Sequence, residues 1–343
     1  MKKLNFASDY MEGAHPLLLL KLMKTNLEKT VGYGEDEYCR DAGEKILKAC
    51  DCPKGSVHFL VGGTQTNATV LSTILKSYEG VISVETGHVN THEAGAIELT
   101  GHKVFALPHN LGKMEAEELI KFIKTFMDDE NRDHMVHPGA VYISQPTEYG
   151  TLYTKSELKE IHSICKENNI KLYVDGARLA YALASPENDI SLSDLAANCD
   201  IFYIGGTKCG AMFGEAVVLP DRDMIPDFFP IIKQHGACLA KGRLHGIQFG
   251  TLFTDDLYMK IGKPAIDSAM KLQNMLIAKG YQLFYHSPTN QVFVVIENSK
   301  METLAEKVIY EYSEKYDDTH TVIRFCTSWA SDPNEIDQLM DIL

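Results

Sequence analysis

A chain of 343 residues, 45% of them hydrophobic, carries enough apolar material for one large domain and a smaller second one, which argues against disorder. A formal net charge of −14, with no dense block of Lys and Arg to offset it locally, argues against a nucleic-acid partner. The eight cysteines form neither a CxxC pair nor a repeated zinc-ligand spacing; no metal is expected, and they read as thiols of a reducing compartment.

Met1–Tyr10 carries Asn, Ser and Asp where a signal peptide needs an unbroken apolar run. The run Leu17–Leu20 lies between Pro16 and Lys21 and falls far short of the ~20 apolar residues that span a bilayer. Cytoplasmic residence without a membrane partner is the expectation. From Ser56 to Leu219, short β-branched or aromatic runs alternate with stretches of helical period. Strands are expected at Val57–Val61, Val81–Glu85, Lys103–Leu107, Val141–Ser144, Lys171–Val174, Ile201–Ile204 and Ala216–Leu219, with helices at Thr64–Ser77, Glu115–Met127 and Lys155–Asn168 between them. This is the pattern of a doubly wound α/β domain with a mostly parallel seven-stranded sheet, which binds ligands at the carboxyl ends of its strands. Beyond about Gly250 a long helical stretch to Lys279, a strand at Gln291–Glu297, a helix from Glu302, a strand at Thr321–Cys326 and a last helix predict a small α+β domain. The division expected is 1–250 and 251–343.

Four segments follow predicted strands on their carboxyl side. Gly62-Gly63-Thr64-Gln65-Thr66-Asn67 opens a helix with small residues, so its N–H groups suit an anion, although Gly-Gly-Thr is also an ordinary strand-to-helix turn. Asp175, in Asp175-Gly176-Ala177-Arg178, is a buried strand-end carboxylate needing a cationic or proton-donating partner, or else the cap of the next helix. Lys208, in Gly205-Gly206-Thr207-Lys208, is either a desolvated nucleophilic amine or a solvated loop lysine. His88 is a ring available to lie on a cofactor, or a structural histidine.

In this order the four segments resemble the fold-type-I, aspartate-aminotransferase-like enzymes that use pyridoxal 5'-phosphate (PLP), and among them the threonine aldolases of the β-eliminating lyase superfamily. The resemblance runs from Phe6-Ala7-Ser8-Asp9 through Tyr33-Gly34-Glu35-Asp36, Gly63-Thr64, His88, Asp175-Gly176-Ala177-Arg178 and Thr207-Lys208 to Arg324-Phe325. It implies that Lys208 carries PLP, that Asp175 keeps the pyridine nitrogen protonated, and that His88 stacks on the ring. Gly63, Thr64, Gln65 and Thr207 would surround the phosphate, and Ser8, Arg178 and Arg324 would hold the substrate carboxylate. Tyr33, with Asp36, would serve a neighbouring subunit, so a homo-oligomer, a dimer of dimers, is implied. The activity implied is cleavage of a β-hydroxy-α-amino acid such as L-threonine to glycine and an aldehyde; β-elimination or transamination would use the same Lys208 and Asp175. His88 and His134 are the candidate bases beside a phosphate-bound water.

The chain departs from the family pattern twice. The segment Lys233–Arg243 lacks the usual glycine-rich run, leaving Lys241 or Arg243 to reach the phosphate, and Gln145-Pro146-Thr147 stands where the family has an acidic strand end.

Overall fold

The computed structural model describes residues 3–343. Its strands in chain order are β1 (Leu4–Asn5), β2 (Ser56–Leu60), β3 (Glu79–Val84), β4 (Val104–Leu107), β5 (His137–Ser144), β6 (Lys171–Asp175), β7 (Ile201–Gly205), β8 (Glu215–Leu219), β9 (Gln291–Glu297), β10 (Val308–Ile309), β11 (Glu311–Lys315) and β12 (His320–Cys326). All seven strands expected before residue 220 are present and form one sheet of order β2-β8-β7-β6-β5-β3-β4. Only β8 runs against its neighbours β2 and β7; every other pairing is parallel.

Alternation along these strands feeds two cores. Val141 and Ile143 of β5, Leu172 and Val174 of β6, and Phe202 and Ile204 of β7 enter one apolar cluster. Tyr142, Tyr173, Ile201 and Tyr203 enter a second. With both faces covered, the strands read as continuous apolar runs, as expected for parallel sheets between helical layers. Burying a side chain of this size stabilises by about 1.5–3 kcal/mol, so the sheet is a rigid platform for the strand ends.

A three-stranded antiparallel sheet of order β11-β12-β9 forms the second unit, packed on the helices Lys263–Ala278 and Pro333–Ile342 around Leu272, Val292, Ile323 and Phe325. The amino-terminal segment is sewn into this unit. β1 pairs in parallel with β10, the Phe6 N–H donates to the Ile309 carbonyl (2.9 Å), and the Cys326 N–H donates to the Phe6 carbonyl (2.7 Å).

Three local expectations are corrected. The helical stretch toward Lys279 is broken into Arg243–Leu252, Leu257–Ile261 and Lys263–Ala278, because Asp255 and Asp256 adopt left-handed backbone (φ 55° and 57°). Apolar periodicity runs across that break and hides it. The helix expected from Glu302 starts at Asn298, directly after β9. β11 was not expected, because Glu311-Tyr312-Ser313-Glu314-Lys315 is a polar edge strand without a buried alternating face. Among the described residues no helix is long and apolar enough to cross a membrane.

Candidate active site

The carboxyl ends of β6 and β7 are drawn together by glycine. A Cβ on Gly176 would lie 2.1 Å from the Tyr203 carbonyl oxygen, and one on Gly205 would lie 2.3 Å from that of Ala177. No other residue fits, and the close approach sets Asp175 and Lys208 against one cavity. That cavity, about 340 Å³, is lined by Gly62, Gly63, Thr64, Asp175, Thr207 and Lys208 among others. A second chamber of about 290 Å³ adjoins it, shares His88, His92, Glu148, Arg178 and Lys208, and continues to Phe293, Glu311 and Arg324. The two units of the fold meet over this double cavity.

Lys208 makes no side-chain hydrogen bond or ion pair among the described residues, and Tyr10 sets its ring 5.9 Å from Nζ. Burial, and then the Arg178 charge, hold its pKa below the usual lysine value, against the opposing charges of Asp9 and Asp175.

Asp175 is buried and accepts four hydrogen bonds. Its Oδ2 accepts from the Tyr142 hydroxyl (2.6 Å) and Asn67 Nδ2 (3.1 Å); its Oδ1 accepts from the Tyr203 hydroxyl (2.5 Å) and the Ala177 N–H (2.9 Å). Burial alone would raise its pKa, but the His88 charge and these hydrogen bonds outweigh it, and the carboxyl stays below its usual range. Asp175 does not cap the helix Leu179–Ala184, whose N-cap is Arg178 without a side-chain cap bond.

His88 and Asp175 belong to one network. His88 Nδ1 lies 2.8 Å from the buried Glu93 Oε1, which also accepts from Asn67 Nδ2 (2.7 Å). Asn67 Oδ1 in turn accepts from the Tyr173 hydroxyl (2.8 Å). A neutral His88 that donates from Nδ1 to Glu93 would leave its Nε2 lone pair facing away from Glu93.

Both arginines face the double cavity, each already against a carboxylate. Arg178 grips Asp9 through Nε (2.6 Å) and Nη2 (3.1 Å), and Asp9 also accepts from Asn290 (2.9 Å). Burial raises the Asp9 pKa, yet Arg178 and Lys208 bring it down to about 2. Arg324 donates to Gln291 Oε1 (2.8 Å) and the Ala7 carbonyl (3.3 Å), pairs with Glu311, and leaves its buried Nε unpartnered. The Ser8 hydroxyl, between Ala7 and Asp9, is buried and has no partner.

The fold thus brings together Gly63, Thr64, His88, Asp175, Arg178, Thr207, Lys208 and Arg324, with Ser8 beside them. Gln65 points elsewhere, donating to the His235 carbonyl (3.1 Å). His134 does not line this chain's own cavity. It is exposed in the 3-10 turn Arg132–His134 that precedes the amino end of β5, whereas the cavity lies at the carboxyl ends. Lys241 is exposed and lines neither chamber, and Arg243 is committed to the Thr25 and Glu28 carbonyls. Tyr33 lines a separate cavity of about 290 Å³, with the Lys233 ammonium 3.5 Å above its ring. Asp36 caps the helix Glu37–Ala49.

Residues not anticipated also line the site. His92 stacks on His88 at 5.8 Å, a spacing of four that was legible in the sequence. Although Gln145 replaces the expected strand-end acid, a half-buried carboxylate faces the site at Glu148, accepting from the Ser144 hydroxyl (2.7 Å) and the His88 N–H (3.0 Å). Glu215 closes the wall beside Thr207.

Comparison with known proteins agrees with this arrangement. A structure of threonine aldolase from Leishmania major superposes with a TM-score of 0.95 at 41% identity, covering 99% of this chain and 98% of that one. A low specificity L-threonine aldolase of Pseudomonas sp. (strain NCIMB 10558) is 31% identical over 88% of this chain and 87% of its own. That of Pseudomonas aeruginosa is 29% identical over 97% and 95%. Thermus thermophilus aspartate aminotransferase, at 14% identity and a TM-score of 0.74, shares the fold. The family model described as beta-eliminating lyase matches residues 5–298, more than half of the sequence, and the chain therefore belongs to the beta-eliminating lyase family.

Proposed function

We propose that this lyase uses PLP to cleave the Cα–Cβ bond of L-threonine, L-allo-threonine and similar β-hydroxy-α-amino acids, releasing glycine and an aldehyde. The observation that carries the reading is the unpartnered, partly desolvated Lys208 amine sharing one cavity with the buried, ionised Asp175. The donor set fits PLP: an amine for its aldehyde carbon, a carboxylate for its ring nitrogen, and the N–H groups of Gly63 and Thr64 for its phosphate. Bound PLP supplies the sink for the electron pair released when the Cα–Cβ bond breaks.

The residues then divide the work. Lys208 would hold the cofactor, Asp175 would keep a proton on its ring nitrogen, and His88, bonded to Glu93, would lie against the ring. Thr207 joins Gly63 and Thr64 at the phosphate. Arg178, Arg324 and Ser8 would hold the substrate carboxylate and so orient the bonds at Cα. His88 and His92 are the two imidazoles of this chain's cavity able to accept the β-hydroxyl proton.

We also propose that the chain works as a homo-oligomer, a dimer of dimers, in which Tyr33 and Lys241 serve a neighbour's site. Leu17, Met23, Leu27 and Val31 are between 51% and 91% exposed within one stretch of sequence, apolar side chains that a neighbouring subunit would cover. A sedimentation mass of one chain would contradict this. The division at residues 250/251 belongs to the same reading; the two sheets have separate cores, but that of the large sheet still takes in Leu252, Tyr258, Ile261 and Ile266, and that of the small one takes in Phe6. Cytoplasmic residence is supported by eight free thiols.

The test is a product assay of the purified protein with PLP. From L-threonine the reading predicts glycine and acetaldehyde in equal amounts; ammonia and a 2-oxo acid would mean elimination.

A further inference from the structure

Glu215, the first residue of β8, is 3% exposed and shares the 340 Å³ cavity with Gly63, Thr64, Thr207 and Lys208. Its Oε2 accepts from the Gly206 N–H (3.0 Å), and its Oε1 lies 2.8 Å from the Thr207 hydroxyl oxygen, which itself accepts from the Gly214 N–H (3.1 Å). A threonine hydroxyl has one proton and two lone pairs. One lone pair is used by Gly214. If Glu215 is ionised, the single proton is drawn to Oε1, and Thr207 turns a lone pair toward the cavity. If Glu215 is neutral, its own proton fills that lone pair, and the Thr207 proton is free to point into the cavity. The proton on Glu215 therefore decides whether Thr207 offers an anion a donor or a repelling lone pair.

Resting on the PLP reading above, we propose that Glu215 is a positioning residue for the cofactor phosphate, acting as a neutral acid that keeps Thr207 a hydrogen-bond donor. Within one chain neither Lys241 nor Arg243 lines this cavity.

The surroundings of Glu215 set its charge. Burial pushes its carboxyl up to about 8, against the Thr207 and Gly206 hydrogen bonds and the Lys208 charge, while Asp175 adds to the rise. Tyr203 and Tyr173 from the sheet, Cys209 from the loop and Tyr258 from the helix Leu257–Ile261 face it as neutral groups. His245 packs against Gly214 and is held uncharged by burial, which lowers its pKa to about 4. A neighbouring phosphate dianion would raise the Glu215 pKa further. At neutral pH the acid is therefore neutral, and it ionises as the pH climbs through its raised value.

The experiment measures dissociation constants of the full chain, freed of cofactor, for PLP and for pyridoxal, which lacks the phosphate, by spectral titration near pH 7 and near pH 9.5. The ratio of the two constants isolates the phosphate. The advantage of PLP over pyridoxal should fall roughly tenfold or more at the higher pH, the scale of one lost charge-assisted hydrogen bond. In Glu215→Gln the amide donates to Thr207 at every pH, so the advantage should stay high at both; in Thr207→Val it should be low at both. A flat ratio in the unaltered chain overturns the proposal, even if the variants fail to fold, and so does a Glu215→Gln protein that keeps the same fall. Binding of neither compound would instead overturn the PLP reading, and this proposal with it.

Discussion

At the scale of single residues, the site turns on how a carboxylate is kept charged without water. Asp175 accepts four hydrogen bonds, two of them from tyrosines on strands flanking its own, so the cost of its burial is offset by fixed donors. The sheet's register puts Tyr142 beside Tyr173 and Ser144 beside Asp175. Asp175→Asn should retain PLP but lose turnover on the order of a hundredfold or more, the scale of a lost acid–base contribution, because an amide cannot hold a proton on the ring nitrogen. Steady-state rates alongside the cofactor absorption spectrum check this, and near-normal turnover would leave Asp175 only a structural role. Sequence identified Asp175 from its place at a strand end. The tyrosines, Asn67 and Glu93 stayed hidden because a buried hydrogen-bonded polar side chain and a solvated one look alike without tertiary contacts.

At the scale of elements, β11 changes the picture of substrate binding. It brings Glu311 onto Arg324, so the arginine expected to meet the substrate carboxylate already has a partner. Glu311 keeps 47% of its side chain exposed, and such a pair is typically worth under about 1 kcal/mol, little enough for a substrate carboxylate to displace. Arg324→Ala should raise KM for L-threonine by the equivalent of roughly 1.5–3 kcal/mol with the cofactor spectrum hardly altered. Glu311→Gln should lower KM by a few-fold. Steady-state kinetics on both variants decide, and an unchanged KM in Arg324→Ala would remove that residue from the site. The seven large-sheet strands were legible because burial on both faces writes continuous apolar runs into the sequence. β11, β1 and β10 were not: β11 is polar, and β1 and β10 are two-residue strands that pair with each other across some three hundred residues. The break at Asp255-Asp256 was missed because apolar spacing reports which face is buried and not whether the backbone is continuous.

At the scale of the whole molecule, the double cavity exists because the amino-terminal segment, sewn to β10 and β12, carries Asp9 and Ser8 over the strand ends that hold Asp175 and Lys208. The sequence order of the motifs foretold this meeting, but not that Asp9 would grip Arg178. Residues that face outward, Tyr33, Lys241 and His134, were read as site residues through resemblance alone, and one chain does not bring them to its own cavity. What unites the remaining parts is a covalent role for Lys208, whose amine no other described residue engages. Borohydride reduction of the PLP-loaded protein, followed by peptide mapping, tests that role most directly. The account predicts a single pyridoxyl label on Lys208, with Lys208→Ala losing both the label and all turnover while remaining folded; a label on any other lysine would contradict it.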